Sequence, residues 1–338
     1  MSIIPIEVPT GAIRYNSDSN KMECYYGKKW LQVSVSSPDL NGGARGVFMG
    51  MSVPAGGDSQ ISYITIPTAG ITVDFGSRTI SGVGANLSSR TRGLAAQDTA
   101  PAFVNTIDFI TMASTGTCTD FGDRTISTSR ARGCSNQTRG MWAGGFGPSP
   151  SIRDQIDYVT IASTGDAKDF GDLTGGREAP SGNVNSPTRA IWTGGDSAGD
   201  GSYQDNIDFV TIGTTGNAID FGNLTSGRGI AAGLSSATRG LIGTGQVTPA
   251  TTSASIDAIS ITSRGNAIDF GDCIIARYGR GSTTDCIRGV FAGGNGPALS
   301  NVMDYVNIST RGDAVDFGDL HNVTARMEGG CSTGHGGL

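Results

Sequence analysis

The sequence predicts an all-β protein: a six-bladed β-propeller preceded by a small β-hairpin module. Three observations carry that expectation. The tripeptide Asp-Phe-Gly occurs six times, opening at Asp74, Asp120, Asp169, Asp220, Asp269 and Asp316, so successive copies lie 46, 49, 51, 49 and 47 residues apart. An arginine followed by Gly or Ala runs in step with it, at Arg45, Arg92, Arg139, Arg189, Arg239 and Arg288, and each opens a short apolar run. The other segments are short, rich in Val, Ile, Thr, Phe and Tyr, and bounded by turn residues, with no helical apolar spacing sustained over three turns. A fixed period of this size means one supersecondary unit repeated. Four short strands in roughly 48 residues suit a propeller blade better than a solenoid coil, whose repeat is about half as long.

Residues 1–44 lie outside the repeat and form the first domain. Alternation places Ile13 and Tyr15 on one face of a strand; Ser17, Asp18, Ser19 and Asn20 supply a polar turn; Met22, Cys24 and Tyr26 alternate on the return; a last strand follows from Trp30. A hairpin this small buries little by itself. It is expected to dock on a partner or on the propeller, with Arg14, Tyr15, Tyr26 and Trp30 as contact residues.

Residues 45–338 form the second domain. Each unit begins with the Arg-Gly strand, which several times ends in paired glycines (Gly144 and Gly145, Gly194 and Gly195, Gly293 and Gly294). A variable loop follows, then a strand such as 156–161, a Thr-Gly or Arg-Gly turn, and the Asp-Phe-Gly strand. A last segment returns to the next Arg-Gly. The first unit starts at Arg45 without the strand that precedes Arg-Gly elsewhere, whereas the chain ends in 324–332, which matches that strand and has no Arg-Gly behind it. The C-terminal segment is therefore expected to complete the first blade and seal edges that a linear array leaves open. The repeated Phe is expected to fill the space between blades, and the Gly after it to turn the chain.

Composition agrees. Glycine makes up 53 of 338 residues, more than twice the usual ~7%. It carries no collagen-like period, and it suits tight turns and close strand approach. The net charge of −6 argues against a nucleic-acid surface. No apolar run approaches the ~18–20 residues of a membrane span, and no basic-then-apolar leader opens the chain. Cys24, Cys118, Cys134, Cys273, Cys286 and Cys331 form no Cys-x-x-Cys pair, so free thiols are expected.

The repeat resembles the kelch family of propellers, through the Gly-Gly that ends an apolar strand and the aromatic of the next strand (Tyr158, Phe209, Tyr305). It departs from that pattern where the paired glycine is missing, at Met51 and Ala96, and where it is altered, at Gly243, Thr244 and Gly245. The N-terminal segment is similar to a module of bacteriophage tail and fibre proteins, matched here by Gly11, Ile13, Arg14, Tyr15, Asn16, Lys21, Glu23, Tyr25, Gly27 and Trp30. Glycine-rich arrays with Asp-Phe-Gly also look similar to cyanophage proteins. These resemblances imply a virion structural protein of a tail, fibre or other surface appendage, assembled in the host cytoplasm and joined to other virion proteins through the N-terminal module. They leave homo-oligomerisation open.

Conspicuous motifs carry no catalytic prediction. Asp-Phe-Gly lacks the phosphate loop, strand lysine and His-Arg-Asp element of kinases. The Gly-x-Ser-x-Gly at 195–199 lacks a following helix and a fitting histidine, because His321 and His335 are the only two. Asp196, Asp200 and Asp205 lack EF-hand spacing, so no metal or cofactor is expected. Each repeat carries one arginine before Gly or Ala and one aspartate in Asp-Phe-Gly. These are expected to pair and fix blade register, since guanidinium and carboxylate match as forks. A second repeated aspartate (Asp108, Asp157, Asp208, Asp257, Asp304) is Ser62 in the first unit and ranks as the weaker partner. Recognition is expected in the variable loops, where Phe146, Asp196, Asp200 and Tyr203 are the candidates. The expected function is a non-enzymatic virion component that attaches to a host glycan or receptor or serves assembly. The alternatives are a cellular kelch-like adaptor and a glycan-acting propeller enzyme.

Overall fold

The computed structural model describes residues 8–16, 21–32, 44–53, 56–97, 103–148, 151–324, 326–327 and 329–338. The chain divides into two compact units, Met1–Gly42 and Gly43–Leu338. The described residues contain strands and turns and no helix.

The first unit is a three-stranded antiparallel sheet of Ile13–Asn16, Lys21–Tyr26 and Lys29–Gln32. Its strands pair Arg14 with Glu23 and Tyr25 with Trp30. Since strand side chains alternate between faces, Ile13, Tyr15, Met22, Tyr26 and Leu31 share one face and are all exposed. The opposite face carries Arg14, Glu23, Tyr25 and Trp30.

The second unit holds six four-stranded antiparallel sheets among the described residues, each joining the last segment of one sequence repeat to the three strands that begin at an Arg-Gly or Arg-Ala step. The third runs Arg132–Ser135, Arg139–Ala143, Gln155–Thr160, Lys168–Asp172, in that spatial order. The first sheet draws on both ends of the unit. Cys331–Ser332 pairs with Arg45–Val53, setting Cys331 opposite Val47, and Gly56–Thr65 and Val73–Ser77 follow outward. The fifth sheet carries an additional two-stranded hairpin, Gln246–Thr248 with Thr251–Thr252, in its variable loop.

Apolar faces of neighbouring sheets bury each other. Trp142 and Trp192 are fully buried, and their indole N–H groups donate to the carbonyls of Ala85 and Arg132 in the preceding sheets. The Phe of every Asp-Phe-Gly is buried. In five sheets it meets the third-strand aromatic edge-on, at 5.7 to 6.1 Å between centroids, a favoured aromatic geometry. The Gly of the motif takes φ between +134° and +150°. At Gly222 an added Cβ would fall 2.5 Å from the carbonyl oxygen of Gly265 in the next sheet, so only glycine fits. That close approach lets the Gly265 N–H donate to the carbonyl of Phe221 at 2.9 Å. The same bond recurs at every junction, and from the last sheet to the first it joins Gly70 N–H to Phe317 O at 2.8 Å.

The expected pairing of the Arg-Gly arginines with the Asp-Phe-Gly aspartates is not what the fold does. Asp74, Asp120, Asp169, Asp220, Asp269 and Asp316 are all exposed. The arginines sit on the second strand and these aspartates on the fourth, so the third strand separates them by two strand spacings, ~10 Å. Arg45, Arg92, Arg139, Arg189 and Arg288 lie over the third-strand aromatic, with the guanidinium carbon 4.5 to 4.9 Å from its centroid. All six arginines donate to a carbonyl of the following sheet: Arg139 to Ile212, Arg239 to Ile308 and, joining last to first, Arg288 to Pro67.

The aspartate ranked as the weaker partner is the one that is paired. Asp108, Asp157, Asp208, Asp257 and Asp304 are fully buried, and each faces an arginine from the linker that precedes the first strand of its sheet: Arg78, Arg124, Arg177, Arg228 and Arg280. A linker threonine helps satisfy four of the carboxylates. Thr225, for example, donates its N–H and hydroxyl to Asp257 at 2.9 and 2.7 Å. These arginines escape a repeat search because they enter from three different sequence positions. Arg78 and Arg124 follow the Asp-Phe-Gly strand closely, Arg177 and Arg228 lie four residues further on, and Arg280 further still.

Candidate recognition site

Leading strands of neighbouring sheets touch through a belt of small polar residues. Ser135 Oγ donates to Ser88 O, Ser88 Oγ to Ser332 O and Ser235 Oγ to Asn185 O, each at 2.8 Å; Ser332 Oγ donates to Thr284 O at 2.6 Å. Asn185 Oδ1 accepts from Ser135 N–H at 3.0 Å. At one end of these strands sits the C-terminal segment. His335 is buried: its Nε2–H donates to Ser88 O at 2.8 Å, and its Nδ1 accepts from Gly337 N–H at 3.1 Å. Both contacts require the neutral ring, because a protonated Nδ1 would face another donor. Burial lowers the pKa from 6.5 to about 4, helped by the Arg90 charge and opposed by the Ser88 carbonyl. Only a slot of about 10 Å³ remains between the belt and this segment, too small for a ligand.

This arrangement predicts an acid-sensitive fold. Between about pH 6.5 and 4 the unfolded chain binds a proton at His335 that the folded protein refuses. The stabilisation is complete above 6.5 and fades as pH falls, by on the order of 3 kcal/mol. Urea midpoints should fall between pH 7 and 5 more in the wild type than in His335→Gln; equal slopes would contradict the assignment.

At the other end of the leading strands, turns of neighbouring sheets are bonded in series. Ala179 N–H donates to Arg130 O, Ile230 to Ala179, Gly279 to Ile230 and Met327 to Gly279, at 2.7 to 3.0 Å. Arg130, Ala179 and Ile230 adopt φ of +59°, +48° and +55°, a conformation that costs about 1–2 kcal/mol in a non-glycine residue. Above them is a cavity of about 320 Å³ lined by Arg130, Glu178, Asp196, Tyr203, Gln246 and Arg326, among others.

The structure thus brings the candidates Asp196, Asp200 and Tyr203 to one cavity, and sets Phe146 beside it. The Phe146 ring lies 5.8 Å from Phe103 and 6.0 Å from the Arg130 guanidinium. Asp196 is buried, and its carboxylate accepts from Ala198, Gly199 and Gly201 N–H at 2.7 to 3.0 Å, so it shapes its own loop. Asp200 likewise accepts from Ser202 N–H at 2.9 Å. Tyr203 lies against Gly229, where a Cβ would fall 2.4 Å from the ring, and its hydroxyl donates to Gln246 at 2.8 Å. Sequence reasoning missed Glu178. This residue is 5% exposed; Oε1 accepts from Arg130 at 2.5 Å, and Oε2 has no hydrogen-bond partner. Burial pushes its pKa up, Arg130 pulls it down, and Asp196 adds to the rise. No repeat marks this position, so no sequence pattern points to it.

The docking candidates of the N-terminal unit separate by face. Tyr15 and Tyr26 are 60% and 66% exposed on the apolar face. Arg14 and Trp30 belong to the other: Arg14 binds Glu23 at 2.7 Å and stacks 4.1 Å over the Trp30 ring, 5.3 Å from which lies Tyr25. Hydrogen bonds from Asn16 and Arg14 lower the Glu23 pKa. All six cysteines are free, and burial raises the pKa of Cys118, Cys134, Cys273 and Cys331 to about 12, so these four are inert thiols.

No known protein family matches this chain, and neither does any curated protein. Among solved structures it is similar to one titled "Structure of YjhT", with a TM-score of 0.58 and 10% sequence identity over 72% of this chain and 86% of that one. At that identity the likeness concerns the fold alone. With the four-stranded antiparallel sheets, it makes the repeat unit β-propeller-like.

Proposed function

We propose that the six sheets are the blades of a closed, kelch-like propeller sealed by the C-terminal strand, and that the protein is a non-enzymatic structural component of a phage virion. In this reading the propeller is presented on a tail, fibre or other surface appendage for attachment to a host glycan or receptor. Closure is supported by three contacts between the last and first repeats: Gly70 with Phe317, Arg288 with Pro67, and Ser332 with Thr284. The observation that carries the virion role is the N-terminal unit, whose phage-tail-like sequence folds with Ile13, Tyr15, Met22, Tyr26 and Leu31 exposed on one face. Such a contiguous apolar face marks an interaction surface.

Particles of the encoding phage, purified and analysed by mass spectrometry, should contain the protein. Replacing Tyr15 and Tyr26 by Asp should leave the propeller folded and remove the protein from particles. Its absence from wild-type particles would overturn the virion role and favour a cellular adaptor.

A further inference from the structure

One sheet departs from the pattern of the other five. The third-strand position opposite Val47, Leu94, Met141, Ile191 and Val290 holds Tyr63, Phe109, Tyr158, Phe209 and Tyr305; opposite Leu241 it holds Ala258. Where the ring is present, it lies between the second-strand arginine and the Phe of Asp-Phe-Gly. In the fifth sheet that ring is missing. Arg239 keeps its bonds to the next sheet, at 2.9 Å to the carbonyls of both Ile308 and Ser309.

The groove beside Ala258 has a volume of about 450 Å³, against about 380 Å³ for the matching groove that Tyr158 occupies in the third sheet. Its charge changes as well. The third-sheet groove is lined by Arg139, Lys168 and Asp166. In the fifth, Thr164 is replaced by Arg264 and Asp166 by Asn266, and Arg311 enters from the next sheet. The described lining residues therefore include three arginines and no acid. The Arg264 guanidinium reaches back to the fourth sheet, 5.8 Å from the Phe209 ring and bonded to Asp220 O at 3.3 Å, which leaves those of Arg239 and Arg311 to this groove. Arg311 lies 3.5 Å from the Asp269 carboxylate, but both are more than half exposed, and such a pair contributes little.

We propose that this groove binds a six-membered ring carrying an anionic group, and specifically a pyranose acid of an acidic glycan. The ring would take the place left by the missing aromatic, its apolar face against Ala258 and Ile268. Its carboxylate would meet Arg311 and Arg239, for which planar forks are suited. This deepens the attachment reading by naming a glycan class, and rests on that reading only for its biological use. Binding in solution tests the groove, and particle content tests the virion role, so either can fail alone.

The test is a titration of the full chain, followed by NMR or calorimetry, with four probes at fixed ionic strength: methyl glucuronide, methyl glucoside, benzoate and inorganic sulfate. The glucuronide should bind at least ten-fold tighter than the other three. Ala258→Tyr restores the ring of the other sheets, should fold normally because Tyr158 fits the same register, and should lower that affinity at least ten-fold. The exposed-side-chain variant Arg311→Ala should lower it as much, with a shallower salt dependence. Equal binding of glucoside, or of sulfate as an adventitious anion, overturns the proposal. So does benzoate binding as tightly as the glucuronide, or unchanged affinity in either variant.

Discussion

A chain ending at residue 324 is expected to lose most of its stability. The deletion removes the Cys331–Ser332 strand that pairs with Arg45–Val53, and with it the Ser332 bonds to Thr284 and Ser88. It also removes Met327, fully buried with Phe48, Met51, Phe317 and Leu320, and the His335 contacts. Losing a buried methionine alone costs about 2–5 kcal/mol. The whole deletion should exceed ~5 kcal/mol, against a total of about 5–15 kcal/mol for a typical domain. The melting midpoint should fall by more than ~10 °C, or the transition should lose cooperativity. Met327→Ala, which keeps the strand, should show a smaller, still cooperative shift. An unchanged midpoint in the truncated chain would contradict the role given to the C-terminal strand.

Asp257→Ala is expected to cost about 3–5 kcal/mol, because it strands a buried charge. Arg228 lies 3.1 Å from the Asp257 carboxylate with both side chains 1% exposed. Burial already lowers the arginine's pKa, and the Asp257 charge is what opposes that. The variant also removes the acceptor of the Thr225 N–H and hydroxyl. Asp269→Ala in the same sheet removes the aspartate of Asp-Phe-Gly, which is 70% exposed, and should change stability by less than ~0.5 kcal/mol. Urea unfolding of the two variants separates them. A large loss in Asp269→Ala with little in Asp257→Ala would restore the pairing that the sequence suggested.

Repetition made the strand pattern legible. A motif that recurs at each repeat must serve something common to every sheet, and Phe75 and its five equivalents do pack between sheets, while the glycines that follow them allow the backbones to meet. The strand Cys331–Ser332 that joins the first sheet was legible for the same reason, because a missing segment at one end matched a surplus at the other. Partner choice was not legible. Arg139 and Asp169 recur in phase, yet phase says nothing about which strand lies between them, and Tyr158 occupies that space. The linker arginines were hidden by their shifting sequence positions, although they converge on one buried carboxylate position.

The candidate site was legible only as far as its loops. Tyr203 and Asp196 could be placed in a variable loop, but not the three backbone amides of that loop that hold the Asp196 carboxylate. Glu178 has no counterpart in the repeat, and its unpartnered oxygen is a property of packing alone. The groove beside Ala258 was readable in principle, as the single repeat without an aromatic at that position, but its meaning depends on knowing that an arginine covers the ring elsewhere.

The central claim is that the last repeat meets the first as each repeat meets the next. Residue-resolved amide hydrogen exchange at Gly70 tests it most directly. The account predicts that Gly70, bonded to Phe317, exchanges as slowly as Gly116, Gly165, Gly216, Gly265 and Gly312, which are bonded to the preceding sheets. Exchange of Gly70 at the rate of a free glycine amide, with the other five protected, would contradict it.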